Sequence, residues 1–177
     1  MNPLPGNYRW LSAEAAPRHL VEAVKLHGVL ETPGAKDNPT IMGWADEVGI
    51  ARNVYSSDEV PWCGLFVSVI MKRAQRDVVA SPLWARSWST FGVEADTAML
   101  GDVLVFSRNG GGHVGIYVGE DKDCYHVLGG NQSNQVNVTR IMKSRCIAIR
   151  RPPYRQQPDN VRVVQLSARG AISTNEA

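Results

Sequence analysis

The chain has 177 residues, which suits one ordinary domain and is too short for two full ones. Apolar residues make up 44% and charged residues 20%, the balance of a globular fold with a sizeable core rather than a fibrous or low-complexity chain. No stretch approaches the roughly 18 apolar residues of a membrane-spanning helix; the longest, Leu65 to Met71, is interrupted by Ser68 and ends at Lys72.

The formal net charge of +2 hides an uneven distribution. From Arg140 onward, eight basic residues (Arg140, Lys143, Arg145, Arg150, Arg151, Arg155, Arg162, Arg169) stand against Asp159 and Glu176. A basic end favours an anionic partner such as nucleic acid, a membrane surface or an acidic envelope polymer. Tyr154 is the one aromatic residue among these cations, which speaks against a single-strand nucleic-acid surface. Met1 to Trp10 has no cationic start followed by an apolar run, so the expectation is synthesis in the cytoplasm without a Sec signal. The three cysteines, Cys63, Cys124 and Cys146, are odd in number and leave at least one free thiol. There is no CxxC pair, and His19, His27, His113 and His126 lack finger or HExxH spacing, so no structural zinc is expected.

In chain order, residues 1–11 read as an irregular lead-in. Pro17 to Leu30 has helical spacing, with Pro17 in the first turn and Gly28 near a stop. Asn38-Pro39 is an N-cap followed by proline, and Ile41, Met42, Ala45 and Val48 carry a second helix to Gly49. A third helix starts near Pro61 and runs to about Arg76, with Lys72, Arg73 and Arg76 at the end where cations complement the dipole. Trp84 and Trp88 are spaced as on a short helix within Ser81 to Phe91. After Gly101 the period changes. Val103–Phe106, Val114–Val118, Tyr125–Leu128, Gln135–Ile141 and Arg145–Arg150 are strand candidates separated by turn residues. Helices first and close-spaced strands after predict an α+β fold, with N-terminal helices packed on an antiparallel sheet of five to six strands. Pro152-Pro153 closes a single domain over 1–153, leaving 154–177 as a basic and polar tail in which Val161 to Leu166 is one further strand candidate.

Cys63 lies at the start of a helix in Asp58-Glu59-Val60-Pro61-Trp62-Cys63-Gly64. The positive end of the dipole and unpaired N–H groups there favour the thiolate and can stabilise an oxyanion. His113 follows Gly110-Gly111-Gly112 and opens a strand, where an imidazole is placed to act as a base. A thiol nucleophile needs such an imidazole, and the imidazole needs an orienting partner. Asn131 or Gln132, in Gly129-Gly130-Asn131-Gln132-Ser133-Asn134, and His126 are the candidates, with Asn131 preferred.

The order helix–Cys, strand–His, strand–polar residue resembles the CHAP (cysteine, histidine-dependent amidohydrolase/peptidase) and NlpC-type peptidases, which are small papain-like hydrolases of peptidoglycan. The stretches that carry the likeness are Pro61-Trp62-Cys63, Ala85-Arg86-Ser87-Trp88, Gly101-Asp102-Val103-Leu104-Val105-Phe106, Gly112-His113-Val114-Gly115-Ile116-Tyr117-Val118-Gly119 and Gly129-Gly130-Asn131-Gln132-Ser133, over about residues 18–153. Their combination is similar to a phage and bacterial subgroup with a Pro-Trp-Cys segment and a Gly-Gly-Asn-Gln-Ser turn. The resemblance implies Cys63 as nucleophile, His113 as general base and Asn131 as the orienting residue. It implies Trp62, Trp84, Trp88 and Gln132 as substrate-binding residues, of which two of the tryptophans read equally as core. Some members bind calcium, but no Asp-rich loop with Gly stands here, so no metal and no cofactor are expected.

The implied activity is cleavage of an amide bond of the wall peptide, as amidase or endopeptidase, by a phage endolysin or a secreted antibacterial effector. Peptidoglycan is then the partner, with an anionic envelope polymer met through the basic C-terminal part and an immunity protein if the chain is a toxin. Such a protein acts in the periplasm or at the cell wall after export or phage-mediated release. A non-catalytic wall-binding or virion-structural module, and a thiol acyltransferase or deamidase acting on protein, are the alternative readings.

Overall fold

The computed structural model describes residues 3–34, 36–174 and 176. Three helices, α1 (Arg18–Lys25), α2 (Pro39–Val48) and α3 (Cys63–Arg73), precede most of a seven-stranded open sheet, so the chain is α+β. The strands are β1 (Val93–Glu94), β2 (Val103–Arg108), β3 (Gly111–Glu120), β4 (Cys124–Gly129), β5 (Asn137–Met142), β6 (Cys146–Arg151) and β7 (Ile172–Ser173), in the spatial order β1-β6-β2-β3-β4-β5-β7. Every pairing is antiparallel except β5 with β7. The strand number exceeds the five to six expected because β1 and β7 are two-residue edge strands, too short for period-2 alternation to register.

Side-chain chemistry explains where the helices begin and end. Asn38 caps α2, its Oδ1 accepting from the Thr40 amide at 2.8 Å, and Gly49 closes it with φ of +87°. α1 stops at Lys25, short of the expected Leu30, because the sheet captures the following backbone. The Gly28 amide donates to Val136 O, and the Val136 amide donates to Val29 O. The lead-in is more ordered than its sequence suggests: Gly6–Ala13 form a 3-10 segment, with Tyr8 and Leu11 buried. Ala85–Thr90 form another.

α3 is the central element. Every residue from Cys63 to Met71 is buried, and Ser68, the polar member, donates to Gly64 O at 2.7 Å. Leu65, Phe66 and Ile70 share a core with Leu20, Ile41, Trp44, Val105, Val114, Ile116 and Leu128. A smaller cluster, which includes Leu104, Phe106, Tyr117, Val127 and Ile141, is a second group of buried sheet residues. Burial of strand residues in both clusters is why Val114 to Val118 are buried without alternation.

The segment after Pro153, expected as a tail, runs back along the domain. Leu100 N donates to Arg162 O, Glu120 N to Val164 O and Leu166 N to Glu120 O, and Val161 is buried. The basic cluster is largely neutralised within the fold. Arg140 meets Asp121, Lys143 meets Glu120, Arg145 meets Glu176, Arg150 meets Glu94, Arg151 meets Asp102 and Arg162 meets Glu14. No helix of the described residues is long and apolar enough to cross a membrane. The thiols of Cys124 and Cys146 have separate surroundings. Cys124 Sγ lies 3.7 Å from Met142 Sδ, and Cys146 Sγ donates to Ala148 O at 3.4 Å.

A buried polar chain ties the first residues to the sheet. The Tyr8 hydroxyl donates to His126 Nδ1 at 2.7 Å, and His126 Nε2 donates to Asp121 at 2.9 Å. Arg140 Nε reaches the same carboxylate oxygen at 2.8 Å. Burial pushes the Asp121 carboxyl up. Hydrogen bonds from Arg140, the Asp123 amide, His126 and the Cys124 amide outweigh it and hold the group well below the usual carboxylate range. Asp121→Ala would leave a buried guanidinium and imidazole without their acceptor, so it is expected to cost about 3 kcal/mol in urea unfolding. A change below about 0.5 kcal/mol, the size of an ordinary surface substitution, would show the chain to be dispensable.

Candidate active site

Cys63 is the first residue of α3, and the residues before it are locked. Trp62, the N-cap residue, is buried against Trp44 and Phe66, and its indole N–H donates to Glu31 at 3.0 Å. Asp58 accepts from the amides of Thr32 at 3.1 Å and Asn38 at 2.8 Å, anchoring the approach to the helix. Gly64 is required by close packing, since a Cβ there would stand 2.2 Å from Pro82 O. The first helical bond runs from the Phe66 amide to Trp62 O, so the amides of Cys63, Gly64 and Leu65 have no partner within the helix.

The Cys63 thiol is 6% exposed and bonds to the backbone of Val114, the residue after His113. Burial pushes the thiol up; the Val114 amide, the Arg108 charge and the amides of Gly64 and Cys63 pull it down less strongly. The dipole effect expected from the sequence is therefore present but outweighed by desolvation, and the resting group is a thiol.

His113 lies on β3 opposite Phe106 and is 1% exposed. Its Nε2 lies 3.0 Å from Gln132 Oε1. The Gln132 amide cannot be turned the other way. Its Nε2 donates to Val127 O at 3.2 Å, to Asn137 O at 2.7 Å and to Asn137 Oδ1 at 2.9 Å, all acceptors. Oε1 is left for His113, so His113 Nε2 carries the proton and Nδ1 holds the lone pair. Burial pushes the imidazole down to about 4. Glu176 and the Gln132 bond oppose that shift, and Arg108 and Arg145 add to it. Gly129 makes the pairing feasible: a Cβ there would lie 2.7 Å from Gln132 Oε1 and 3.2 Å from His113 Nε2.

Gln132, not Asn131, is thus the partner of His113. Asn131 occupies the turn with φ of +53°, a conformation asparagine tolerates, and its neighbour carries the orienting contact. Gln132 is itself 1% exposed, so its expected role in substrate binding does not fit its position. His126, the third candidate, is committed to Tyr8 and Asp121. Among the tryptophans, Trp62 and Trp88 are fully buried, Trp88 donating to Pro82 O at 3.0 Å, and both are core residues. Trp84 is 75% exposed and stands with Val54 at a cleft of about 380 Å³ that Cys63, Arg108 and Gly110–Gly112 also line. Arg86 braces the glycine loop through Gly111 O.

The sequence reading did not single out Arg108, Arg145 and Glu176 as site residues. Glu176 and Arg145 act on His113 electrostatically, and Arg108 acts on both His113 and Cys63. Only a link between strand pattern and the far C-terminal segment could have signalled Glu176. Among the described residues no group of three or more His, Cys, Asp or Glu is placed to hold a metal ion. No protein-family model matches the chain, and no curated protein or solved structure matches it.

The arrangement contains a thiol at a helix start, an imidazole with its lone pair left free and a fixed amide behind it. Those are the parts of a nucleophile, a base and an orienting group. A consequence for stability follows from the depressed imidazole. An unfolded histidine titrates near 6.5 and folded His113 near 4, so the unfolded chain binds more protons between those values. Stability is expected to fall as pH drops through that window, and to fall less steeply in His113→Gln, as read by urea unfolding across the range. Equal slopes in the two proteins would contradict the assigned burial of a neutral ring.

Proposed function

We propose that the protein is a papain-like thiol hydrolase of the CHAP/NlpC type that cleaves an amide bond of the peptidoglycan peptide. The observation that carries the reading is the Gln132-fixed tautomer of His113, whose chain neighbour Val114 bonds through its backbone to the thiol at the start of α3. The segments that resemble the family supply its specificity for the wall, since the geometry alone suits any acyl transfer. The order of Cys63, His113 and Gln132 along the chain follows the order expected from that resemblance, with the third role moved by one residue.

In this mechanism the substrate peptide lies in the cleft beside Trp84, which offers an exposed aromatic face. As Cys63 Sγ attacks the carbonyl carbon, its proton passes to His113 Nδ1, and Gln132 stabilises the imidazolium by accepting from Nε2. The amides at the start of α3 are donors for the oxyanion. The imidazolium gives its proton to the departing amine, leaving a thioester on Cys63. His113 then takes a proton from water, which attacks the thioester and releases the acid and the thiol. No cofactor enters the cycle. The site of action is the periplasm or cell wall, reached by export or phage-mediated release, as an endolysin or an antibacterial effector whose producer would need an immunity protein. Six of the eight C-terminal cations have carboxylates of their own, so an anionic envelope polymer would meet a basic face already largely neutralised.

Purified peptidoglycan incubated with the protein is expected to yield new muropeptides by mass spectrometry, and none with Cys63→Ala. Products from both proteins would move the nucleophile elsewhere. No products together with retained wall binding would favour a binding module. With a cleaved substrate in hand, the acid limb of kcat/KM is expected well below 6.5, near the value of about 4 for His113. A limb at or above 6.5 would contradict attack from the neutral thiol–imidazole pair.

A further inference from the structure

Glu176 is 1% exposed although it lies in a stretch whose described neighbours, Gly170 to Thr174, are mostly at the surface. Its carboxylate sits in the fork of Arg145, with NH1 at 2.7 Å and NH2 at 2.8 Å from its two oxygens. Its carbonyl accepts from the Ser133 amide at 3.0 Å, one residue beyond Gln132. Of the groups that act on His113, Glu176 is the one carboxylate. The segment that delivers it lies at the edge of the sheet. β7 pairs with β5 over two residues, Arg140 NH1 donates to Gly170 O, and Ile172 is 43% exposed. A two-residue strand at the sheet edge with an exposed Ile172 is more easily released than the buried strands at the centre.

Arg145 has a second significance. With Ser107, Arg108, Asn109 and Thr174 it lines a cleft of about 420 Å³. Arg108 also lines the Cys63 cleft, so the two spaces share that residue. A planar guanidinium fork is a carboxylate receptor, and here a carboxylate of the same chain fills it. Burying a glutamate is costly unless it is paired, and Arg145 supplies that pairing without any contribution from the substrate.

Resting on the thiol-hydrolase reading, we infer that Arg145 is the subsite for a free carboxylate of the substrate peptide, and that Glu176 occupies it in the resting protein as an intramolecular stand-in. The strap of residues 170–174 and Glu176 then competes with substrate. A peptide bearing a carboxylate near the scissile amide displaces Glu176 from the fork and frees the His113 side of the cleft. A peptide amidated at that position offers Arg145 one neutral carbonyl oxygen in place of a charged pair, and leaves the strap in place. Selection of free acids over amides follows, because only a carboxylate matches the fork closely enough to replace Glu176 in it.

The test uses the full chain carrying Cys63→Ala, so that peptides bind without being cut, and follows hydrogen exchange at the amides of 170–174. The probe is the tetrapeptide L-Ala-γ-D-Glu-L-Lys-D-Ala with its carboxylates free, against the same peptide with them amidated. The free acid is expected to accelerate exchange in the strap, and the amide to leave it unchanged. In the protein with Cys63 intact, Glu176→Gln is expected to raise kcat/KM on the free-acid peptide about tenfold, the range of an ordinary coupling between sites. Arg145→Lys, which keeps the charge and loses the fork, is expected to remove the preference for acid over amide, with melting curves confirming that both variants fold. Strap exchange that ignores both peptides, while the intact protein still digests peptidoglycan, overturns the subsite and leaves the hydrolase reading standing. Strap release by the free acid, with no digestion by the intact protein or Glu176→Gln, supports the subsite and removes the hydrolase. Slower cleavage by Glu176→Gln overturns the stand-in, since it makes the carboxylate part of the reaction.

Discussion

A primary amide has two faces that differ only by the exchange of oxygen and nitrogen, and the surroundings of Gln132 permit one of them. Two main-chain carbonyls and the Asn137 side chain demand donors, and those demands consume the NH2 group. The oxygen is then pinned toward His113. From that single commitment follow the tautomer of the imidazole, the ring nitrogen left to accept a proton, and the chemistry available to Cys63. A neutral amide suits this task better than a carboxylate would in so dry a place, because it orients the ring without adding a buried charge.

The backbone around this bond is built to leave room for it. Gly129 withholds a side chain that would collide with both partners, and Gly130 lets Trp62 and Phe66 press against the turn. The same tryptophan sets the N-cap of α3, so the turn that holds Gln132 and the helix that starts at Cys63 share one buried contact. Cys63 and the Gln132 turn are thus positioned through packed core rather than through flexible loops, as the proposed chemistry would require. Burial favours the uncharged form of both the Cys63 thiol and the His113 ring.

Much of the architecture was legible in the sequence. The Asn38-Pro39 cap, the apolar stripe of α3 and the five long strands carry their own signals in residue type and period. So did Cys63 and His113, since a cysteine at a helix start and a histidine at a strand mouth are local features. The third member of the site was misplaced by one residue because the turn from Gly129 to Asn134 offers two amides, and choosing between them requires knowing which carbonyls of β4 and the start of β5 surround each. The tryptophans looked alike in sequence and differ only in what packs over them. The C-terminal segment was the least legible: its two-residue strand, its bridges to Glu120 and the burial of Glu176 are long-range events that no local pattern announces. Charge counting failed there for the same reason, since the partners of Arg145 and Arg151 lie 31 and 49 residues away along the chain.

The central claim is that Gln132 fixes His113 as a neutral ring protonated on Nε2. Nitrogen-15 NMR of the histidine ring nitrogens measures this directly, with Gln132→Ala to assign the coupling. The account predicts a single neutral tautomer at about pH 7, with the proton on Nε2, and a titration midpoint far below the ordinary value of about 6.5. A ring protonated on Nδ1, or one that titrates near 6.5 as a solvated histidine does, would contradict it.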